Sequence, residues 1–288
     1  MRYLLLVSTS VFLAMMSIMA CGSDSPNSGA AGDGGASATD IVGNVLVTIA
    51  KNGANFRTTS SASFLSGTPS AIPAQCESST LGGCTALSCP GVGDAGTVKF
   101  KSLNAGTITI ADGTPGITPL TLSYDAQSEQ YPLVAGEQII QAGDELKVTG
   151  EGVPNGIPSF DISAKASGEI SGSNPTLSDT KSIELSRTKD FAITFTGSGA
   201  SGTVSLSITT SDLSNGAHAS VTCAANPANG KITVTKDALA KLLKADGRMV
   251  LGTIALSPEV QVTQSTGGLL MTFTVRNTGV SGLFTNPD

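Results

Sequence analysis

Cysteine is the residue type of this sequence with the most chemistry to offer, and its five copies fall in three places. Cys21 stands between an apolar N-terminal run and a stretch of glycine, serine and alanine. Cys76, Cys84 and Cys89 lie close together, and Cys223 lies far along the chain. A thiol can be acylated, oxidised to a disulfide or bound to a metal. The clustered cysteines have seven and four residues between them and form no CxxC pair, which disfavours both zinc and redox catalysis. We expect no metal.

The N-terminal segment has the parts of an export signal. A basic start is followed by an apolar run over residues 4–19 and a small residue before Cys21. The run is too short and too rich in serine for a membrane span, so residues 1–20 are interpreted as a cleaved signal peptide. Residues 18–21, Ile-Met-Ala-Cys, resemble the lipobox of bacterial lipoproteins. The resemblance implies diacylglycerylation of the Cys21 thiol, cleavage before it and acylation of the new amino group. The alternative is an ordinary signal peptide ending beside a cysteine.

A triacylated Cys21 would anchor the chain without a membrane-spanning helix, because two or more acyl chains bind stably where one binds marginally. Gly22 stands where aspartate often marks retention at the inner membrane, so the resemblance favours the outer membrane. Residues 21–40 contain no aliphatic side chain larger than alanine, which predicts a flexible tether spanning roughly 24 Å. Removal of residues 1–20 takes away one of the 16 basic side chains and none of the 22 acidic ones, so the mature chain is acidic. We therefore expect no nucleic-acid partner.

The other four cysteines are even in number, which predicts two disulfides in an exported protein. Four cysteines allow three connectivities, and the sequence alone does not choose among them. Our preferred arrangement is one local bridge among Cys76, Cys84 and Cys89 and one long bridge to Cys223. The long bridge would join the two halves of the chain.

The chain after residue 40 has the pattern of an all-β protein. Short runs of alternating or β-branched residues are separated by Gly, Pro, Asn and Asp at the intervals of sandwich strands. Asn52-Gly53 predicts a hairpin turn between the first two strands. The segment 235–247 breaks the pattern and predicts a short helix capped by Thr235.

A glycine- and serine-rich stretch near residues 168–180 predicts a boundary between two Ig-like or fibronectin-like sandwiches, at 41–170 and 175–280. The first of these would contain the cysteine-rich loop. A single larger sandwich is the alternative.

Part of the second half is similar to segments of uncharacterised secreted lipoproteins of the myxobacterial kind. Asp190 to Gly197 matches an aspartate-led strand of that group, with Phe195 where tryptophan is usual. Ala238 to Leu242 matches its short helix, with Lys236 in place of the usual proline. The resemblance implies a β-sandwich at the cell surface and supplies no activity.

The sequence contains no recognisable catalytic or nucleotide-binding motif. His218 lies in a polar turn, which is typical of a surface residue, and neither a G-x-S-x-G elbow nor a nucleotide-binding glycine motif occurs. Tyr124 and Tyr131 are the only mature-chain tyrosines, and tryptophan is absent. They form either a weak ligand-binding pair or a hairpin with two rings packed across it.

We therefore expect a non-enzymatic, lipid-anchored envelope protein with a structural, adhesive or recognition role and no cofactor. The membrane would be its partner through the anchor, together with a cell-surface protein or glycan. A carbohydrate- or peptide-binding module is the alternative, and a carboxylate-based hydrolase comes last.

Overall fold

The computed structural model describes residues 41–52, 55–66, 76–91, 102–113, 118–136, 140–198, 201–246 and 249–285. Within these residues the chain forms eighteen strands, one short α-helix and one 3-10 turn. In the first half the strands are β1 (Ile41–Asn52), β2 (Asn55–Ser66), β3 (Glu77–Leu81), β4 (Cys84–Cys89), β5 (Ile108–Ala111), β6 (Leu120–Leu122), β7 (Val134–Gly136), β8 (Glu145–Gly150) and β9 (Phe160–Lys165). In the second half they are β10 (Glu169–Asn174), β11 (Ile183–Glu184), β12 (Phe191–Ser198), β13 (Thr203–Asp212), β14 (His218–Ala225), β15 (Lys231–Val234), β16 (Val250–Thr266), β17 (Leu269–Asn277) and β18 (Val280–Thr285). The helix, α1, spans Lys236–Leu239, and the 3-10 turn spans Pro227–Asn229.

Eleven of these strands form one large sheet, in the order β3-β4-β14-β13-β16-β17-β1-β2-β7, with β18 beside β16 and β11 beside β18. A four-stranded sheet has the order β6-β5-β8-β9, and a three-stranded sheet has the order β10-β12-β15. The all-β, sandwich-like fold predicted from the sequence is confirmed.

Both hydrophobic cores lie on the same face of the large sheet. The first core packs β1, β2 and β17 against the four-stranded sheet, and Phe64 and Phe273 are fully buried in it. The second core packs β4, β13, β14 and β16 against the three-stranded sheet, with Leu206 and Ile208 fully buried. The large sheet is therefore a common layer on which two sandwiches are built side by side.

Strands on both sides of the predicted boundary at residues 170–175 contribute to each core. The first core takes Leu269 to Val275 of β17, from the end of the chain. The second core takes Cys84 and Ala86 of β4, from the first half. The residues of each sandwich are therefore not contiguous in sequence, because the strands pair across the whole chain.

The long strand β16 belongs to both sandwiches. Its residues 250–259 pair with β13, and its residues 259–266 pair with β17. At about 3.3 Å per residue, the 17 residues of β16 have a contour length of roughly 56 Å. Each sandwich thus uses one half of a single strand.

The first two strands form the antiparallel hairpin that the sequence predicts. Asn52 of β1 is opposite Asn55 of β2, so the connection is made by residues 53 and 54, which lie outside the described residues. On its other side β1 runs parallel to β17, from Ile41 opposite Leu269 to Ile49 opposite Asn277. The first strand is thus an interior strand of the large sheet.

The helix begins where it was predicted but is much shorter. The Thr235 hydroxyl accepts a hydrogen bond from the Ala238 N–H at 3.4 Å and caps the start. The helical turn then ends at Leu239 instead of continuing toward residue 247. Leu239 and Leu242 are both buried in the second core, so the segment closes that core after a single turn.

Tertiary hydrogen bonds replace the missing helical ones. The guanidinium of Arg187 donates to the Leu239 carbonyl at 3.4 Å and also to the Ala240 carbonyl. The Leu243 N–H donates to the hydroxyl of Thr210 at 2.9 Å. Because a helix end must satisfy its last carbonyls by some partner, these contacts allow the chain to leave the helix early. The short helix with its predicted cap is therefore present, but its predicted extent over 235–247 is wrong.

A buried side-chain amide stabilises the point at which the chain passes from the four-stranded sheet, at β9, to the three-stranded sheet, at β10. The side-chain nitrogen of Asn277, at the end of β17, donates to the carbonyls of Ser167 at 2.8 Å and Gly168 at 3.3 Å. The next residue, Thr278, donates its N–H to the Ile49 carbonyl at 2.8 Å. Asn277 is 7% exposed, so these bonds are protected from water.

Candidate functional site

The four cysteines of the folded part form two disulfides in the arrangement preferred from the sequence. Cys76 is bonded to Cys89, 13 positions away, and Cys84 is bonded to Cys223, 139 positions away. Cys84 and Cys223 are directly opposite each other on the neighbouring strands β4 and β14. This bridge lies within the second core, so its role is structural. Cys21 and the tether predicted at residues 21–40 lie outside the described residues.

His218, the one histidine of the sequence, begins β14 opposite Cys89 and Ser211. It is half-buried. Burial lowers the pKa of its imidazole below the usual value of 6.5, although a backbone hydrogen bond with Gly216 opposes that shift. Among the described residues no group of three or more His, Cys, Asp or Glu side chains could hold a metal ion.

Tyr124 and Tyr131 pack against each other across a hairpin. Their ring centroids are 5.4 Å apart in an edge-on arrangement. The residues next to them in the chain, Asp125 and Gln130, form an antiparallel β-bridge. Tyr131 is only 6% exposed and also contacts the ring of Phe64, with centroids 5.8 Å apart. The expectation of an exposed ligand-binding pair is therefore wrong for Tyr131, and the packed hairpin is what the structure shows.

Both tyrosine hydroxyls also form hydrogen bonds with the backbone. The Tyr131 hydroxyl accepts from the Ala105 N–H at 2.7 Å and donates to the Gly106 carbonyl at 2.9 Å. The Tyr124 hydroxyl donates to the Ser102 carbonyl at 3.0 Å. Burial raises the pKa of Tyr131, since the charged phenolate would lose its hydration there. Both side chains hold the segment that leads into β5.

A cavity of about 560 Å³ opens beside the three-stranded sheet, and we take it as the candidate ligand pocket. Four segments surround it: the start of β10, the end of β12, the entry to β13 and the turn after β14. They are brought together by the β10–β12 pairing and by the 3.0 Å bond from the Ser167 hydroxyl to the Ser201 carbonyl. The lining residues are Ile170, Phe195, Thr196, Gly197, Ser201, Gly202, Asn226, Pro227 and Ala228.

The pocket has an apolar floor and a polar rim. Ile170 and Phe195 are 6% and 7% exposed, so their buried side chains form the floor. The Asn226 side-chain oxygen accepts from the Ala228 N–H at 2.9 Å and caps the 3-10 turn. No acid, base or cation is present among the described lining residues. The arrangement suits a neutral ligand and supplies no general acid or base.

Sequence reasoning did not find this pocket. The sequence indicates only a strand at Phe195 and residue types common in turns at Asn226 and Pro227. A pocket made from turns and backbone leaves no periodic signal, and the Asn-Pro start of the turn was the one local clue.

Comparison of the sequence with family models and with curated proteins finds no match to either. The class that the fold defines is thus a disulfide-linked, all-β double sandwich on a shared sheet. No helix in the described part of the chain is long and apolar enough to cross a membrane.

Proposed function

We propose that this chain is a lipid-anchored protein of the bacterial cell envelope, held at the outer membrane through Cys21. Its double sandwich serves a structural or recognition role without catalysis. The observation that carries the proposal is the lipobox-like sequence at residues 18–21, at the end of an export signal.

The folded part supports this proposal in two ways. Two disulfides favour an oxidising, extracytoplasmic compartment. The first strand begins at Ile41, directly after the tether, and its N–H donates to the Gly268 carbonyl at 3.0 Å. Nineteen residues of glycine-rich chain therefore separate Cys21 from the start of the sheet, which would hold the sandwiches clear of a membrane surface.

The anchor is tested by metabolic labelling with [³H]palmitate in a host that processes bacterial lipoproteins. We expect label on the wild-type chain, and we expect Cys21→Ala to remove the label and to leave a larger, unprocessed precursor. Ser23→Ala is the matched control, because it changes a neighbouring residue and keeps the thiol. Label that persists in Cys21→Ala, or a wild-type chain without label, contradicts the proposal.

A sorting variant extends the same experiment. Gly22→Asp should move the labelled protein from the outer-membrane fraction to the inner-membrane fraction after separation on a density gradient. An unchanged distribution would remove the outer-membrane assignment while leaving the anchor itself intact.

A further inference from the structure

The two disulfides lie on opposite faces of the large sheet. Cys84, at the start of β4, belongs to the second core together with its partner Cys223. Cys89 is five positions further along the same strand and is bonded to Cys76. Because successive side chains of a strand point to alternate faces, this odd separation places Cys89 on the face away from the core. The bridge Cys76–Cys89 is therefore separate from the hydrophobic core that encloses the other bridge.

The two cysteines of this outer bridge differ in exposure. Cys76 comes just before β3, an edge strand of the large sheet, and is partly exposed. Cys89 is only 4% exposed, because β4 has β3 on one side and β14 on the other. Cys84 and Cys223 are almost fully buried. Among the four bonded cysteines, Cys76 is therefore the one that a thiol in solution reaches most easily.

A histidine lies beside the buried end of the outer bridge. His218 of β14 is directly opposite Cys89 of β4. Residues opposite each other on antiparallel strands share a face of the sheet, with Cβ atoms about 4.5–5.5 Å apart. The imidazole is therefore a close neighbour of the Cys89 sulfur, and even its neutral form has one ring N–H to donate. A neighbouring histidine stabilises the thiolate form of a cysteine.

These two features give thiol–disulfide exchange a direction. In such an exchange a thiolate attacks one sulfur of the bridge, and the other sulfur leaves as a thiolate. Attack at the accessible Cys76 makes Cys89 the leaving sulfur. The reaction is faster when the leaving thiolate is more stable, and the stabilising group, His218, lies next to Cys89. The accessible sulfur and the assisted leaving sulfur are thus at the correct ends of the same bond.

The fold retains its other contacts when this bridge opens. Residues 77–81 of β3 pair with residues 84–88 of β4 along the whole of β3. At the turn end of this hairpin, the bridge Cys84–Cys223 ties β4 to β14. Opening of Cys76–Cys89 therefore releases only the start of an edge strand, and the two sulfurs stay close enough to bond again.

We propose that Cys76–Cys89 is a thiol–disulfide exchange site that takes a small-molecule thiol on Cys76, with His218 assisting the departure of the Cys89 sulfur. The incoming thiolate forms an S–S bond with the Cys76 Sγ, and the bond between Cys76 and Cys89 breaks. Cys89 leaves with the bonding electron pair and takes up a proton, which balances the proton that the small thiol gave up. One thiol and one disulfide thus become another thiol and another disulfide, with no net oxidation.

The reverse step restores the bridge. The Cys89 thiolate attacks the Cys76 sulfur, and the small thiol leaves as its thiolate. The exchange therefore needs no reagent besides the small thiol. The proposal goes beyond the lipid anchor and does not depend on it, so loss of palmitate labelling would leave it standing.

Reduced glutathione is the probe that tests the site. The full chain, purified in detergent, is incubated with it, samples are taken at early times, and free thiols are blocked with N-ethylmaleimide. Peptide mass spectrometry without reduction then locates both groups. We expect glutathione on Cys76 and maleimide on Cys89, while Cys84–Cys223 stays intact. A chain without glutathione, glutathione on Cys89, or earlier opening of Cys84–Cys223 overturns the proposal.

Two variants test the part played by the histidine. His218→Phe keeps a planar ring without ring nitrogens and should slow glutathione addition by about tenfold, because the leaving thiolate loses its neighbouring N–H. Ser211→Ala is the matched control, since Ser211 lies opposite His218 on the side away from Cys89, and it should react at the wild-type rate. Thermal unfolding without thiol confirms that both variants are folded. In urea all three chains should react equally. A folded His218→Phe chain that reacts as fast as Ser211→Ala refutes the assistance by His218.

Discussion

The two disulfides should differ in how much they stabilise the fold, and the difference follows from the chain lengths they enclose. Cys84–Cys223 spans 139 positions, and Cys76–Cys89 spans 13. On the chain-entropy relation, closing loops of these lengths restricts the unfolded chain by about 5 kcal/mol and about 3 kcal/mol at 25 °C. The long bridge is also enclosed in the second core, with Cys84 1% and Cys223 3% exposed. Its replacement by alanines therefore adds a cavity cost in the same direction.

The test compares two double variants, Cys84→Ala/Cys223→Ala and Cys76→Ala/Cys89→Ala, by urea unfolding without reductant. We expect the first pair to lower the free energy of unfolding by about 2 kcal/mol more than the second. Reduction of the wild type with dithiothreitol should cost at least as much as the larger of the two. Equal losses, or a larger loss for the Cys76–Cys89 pair, would refute the reasoning from loop length and burial.

Four further variants probe individual side chains. Tyr131→Phe leaves the buried Ala105 N–H without its acceptor and should cost about 1–3 kcal/mol, while Tyr124→Phe removes one half-exposed bond and should cost about 1 kcal/mol, both measured by urea unfolding. Equal costs would show that burial of the Tyr131 hydroxyl is unimportant. Asn277→Ala removes the two buried hydrogen bonds to the Ser167 and Gly168 carbonyls and should lower the free energy of unfolding by about 1–3 kcal/mol. The same substitution at an exposed asparagine should change the free energy of unfolding little. The lowered pKa of His218 means that the folded state binds its proton less readily than the unfolded state, so stability should fall as pH drops below about 6.5. His218→Gln should flatten that part of the stability–pH curve, and an unchanged curve would contradict the assignment.

Local patterns in the sequence predicted local structure well. Alternation identified the strands and the all-β class, and Asn52-Gly53 identified the first hairpin to within one residue of its turn. Thr235 predicted the start of the helix because a cap is a contact between near neighbours. The end of the helix was missed since it depends on Arg187, a residue from a distant segment that binds the last carbonyls.

Long-range pairing explains what the sequence could not predict. The Thr278 hydroxyl donates to the Ile49 carbonyl across 229 positions. Thr278 directly follows β17, the strand that pairs with β1. A strand's own residues encode which face is apolar, but they do not encode which of many similar strands will lie beside it. The pocket around Phe195 was hidden for the same reason, since it forms only where four segments meet.

The interior position of β1 has a mechanical consequence. This strand is hydrogen-bonded to β2 along its whole length and to β17 from Ile41 to Ile49. A pull at residue 41 along the strand axis loads both rows of hydrogen bonds in shear, so many must break together before the strand slides. A pull on an edge strand at right angles to its axis would instead open the bonds one after another. The end of the sheet that would follow the proposed tether is therefore suited to sustained load.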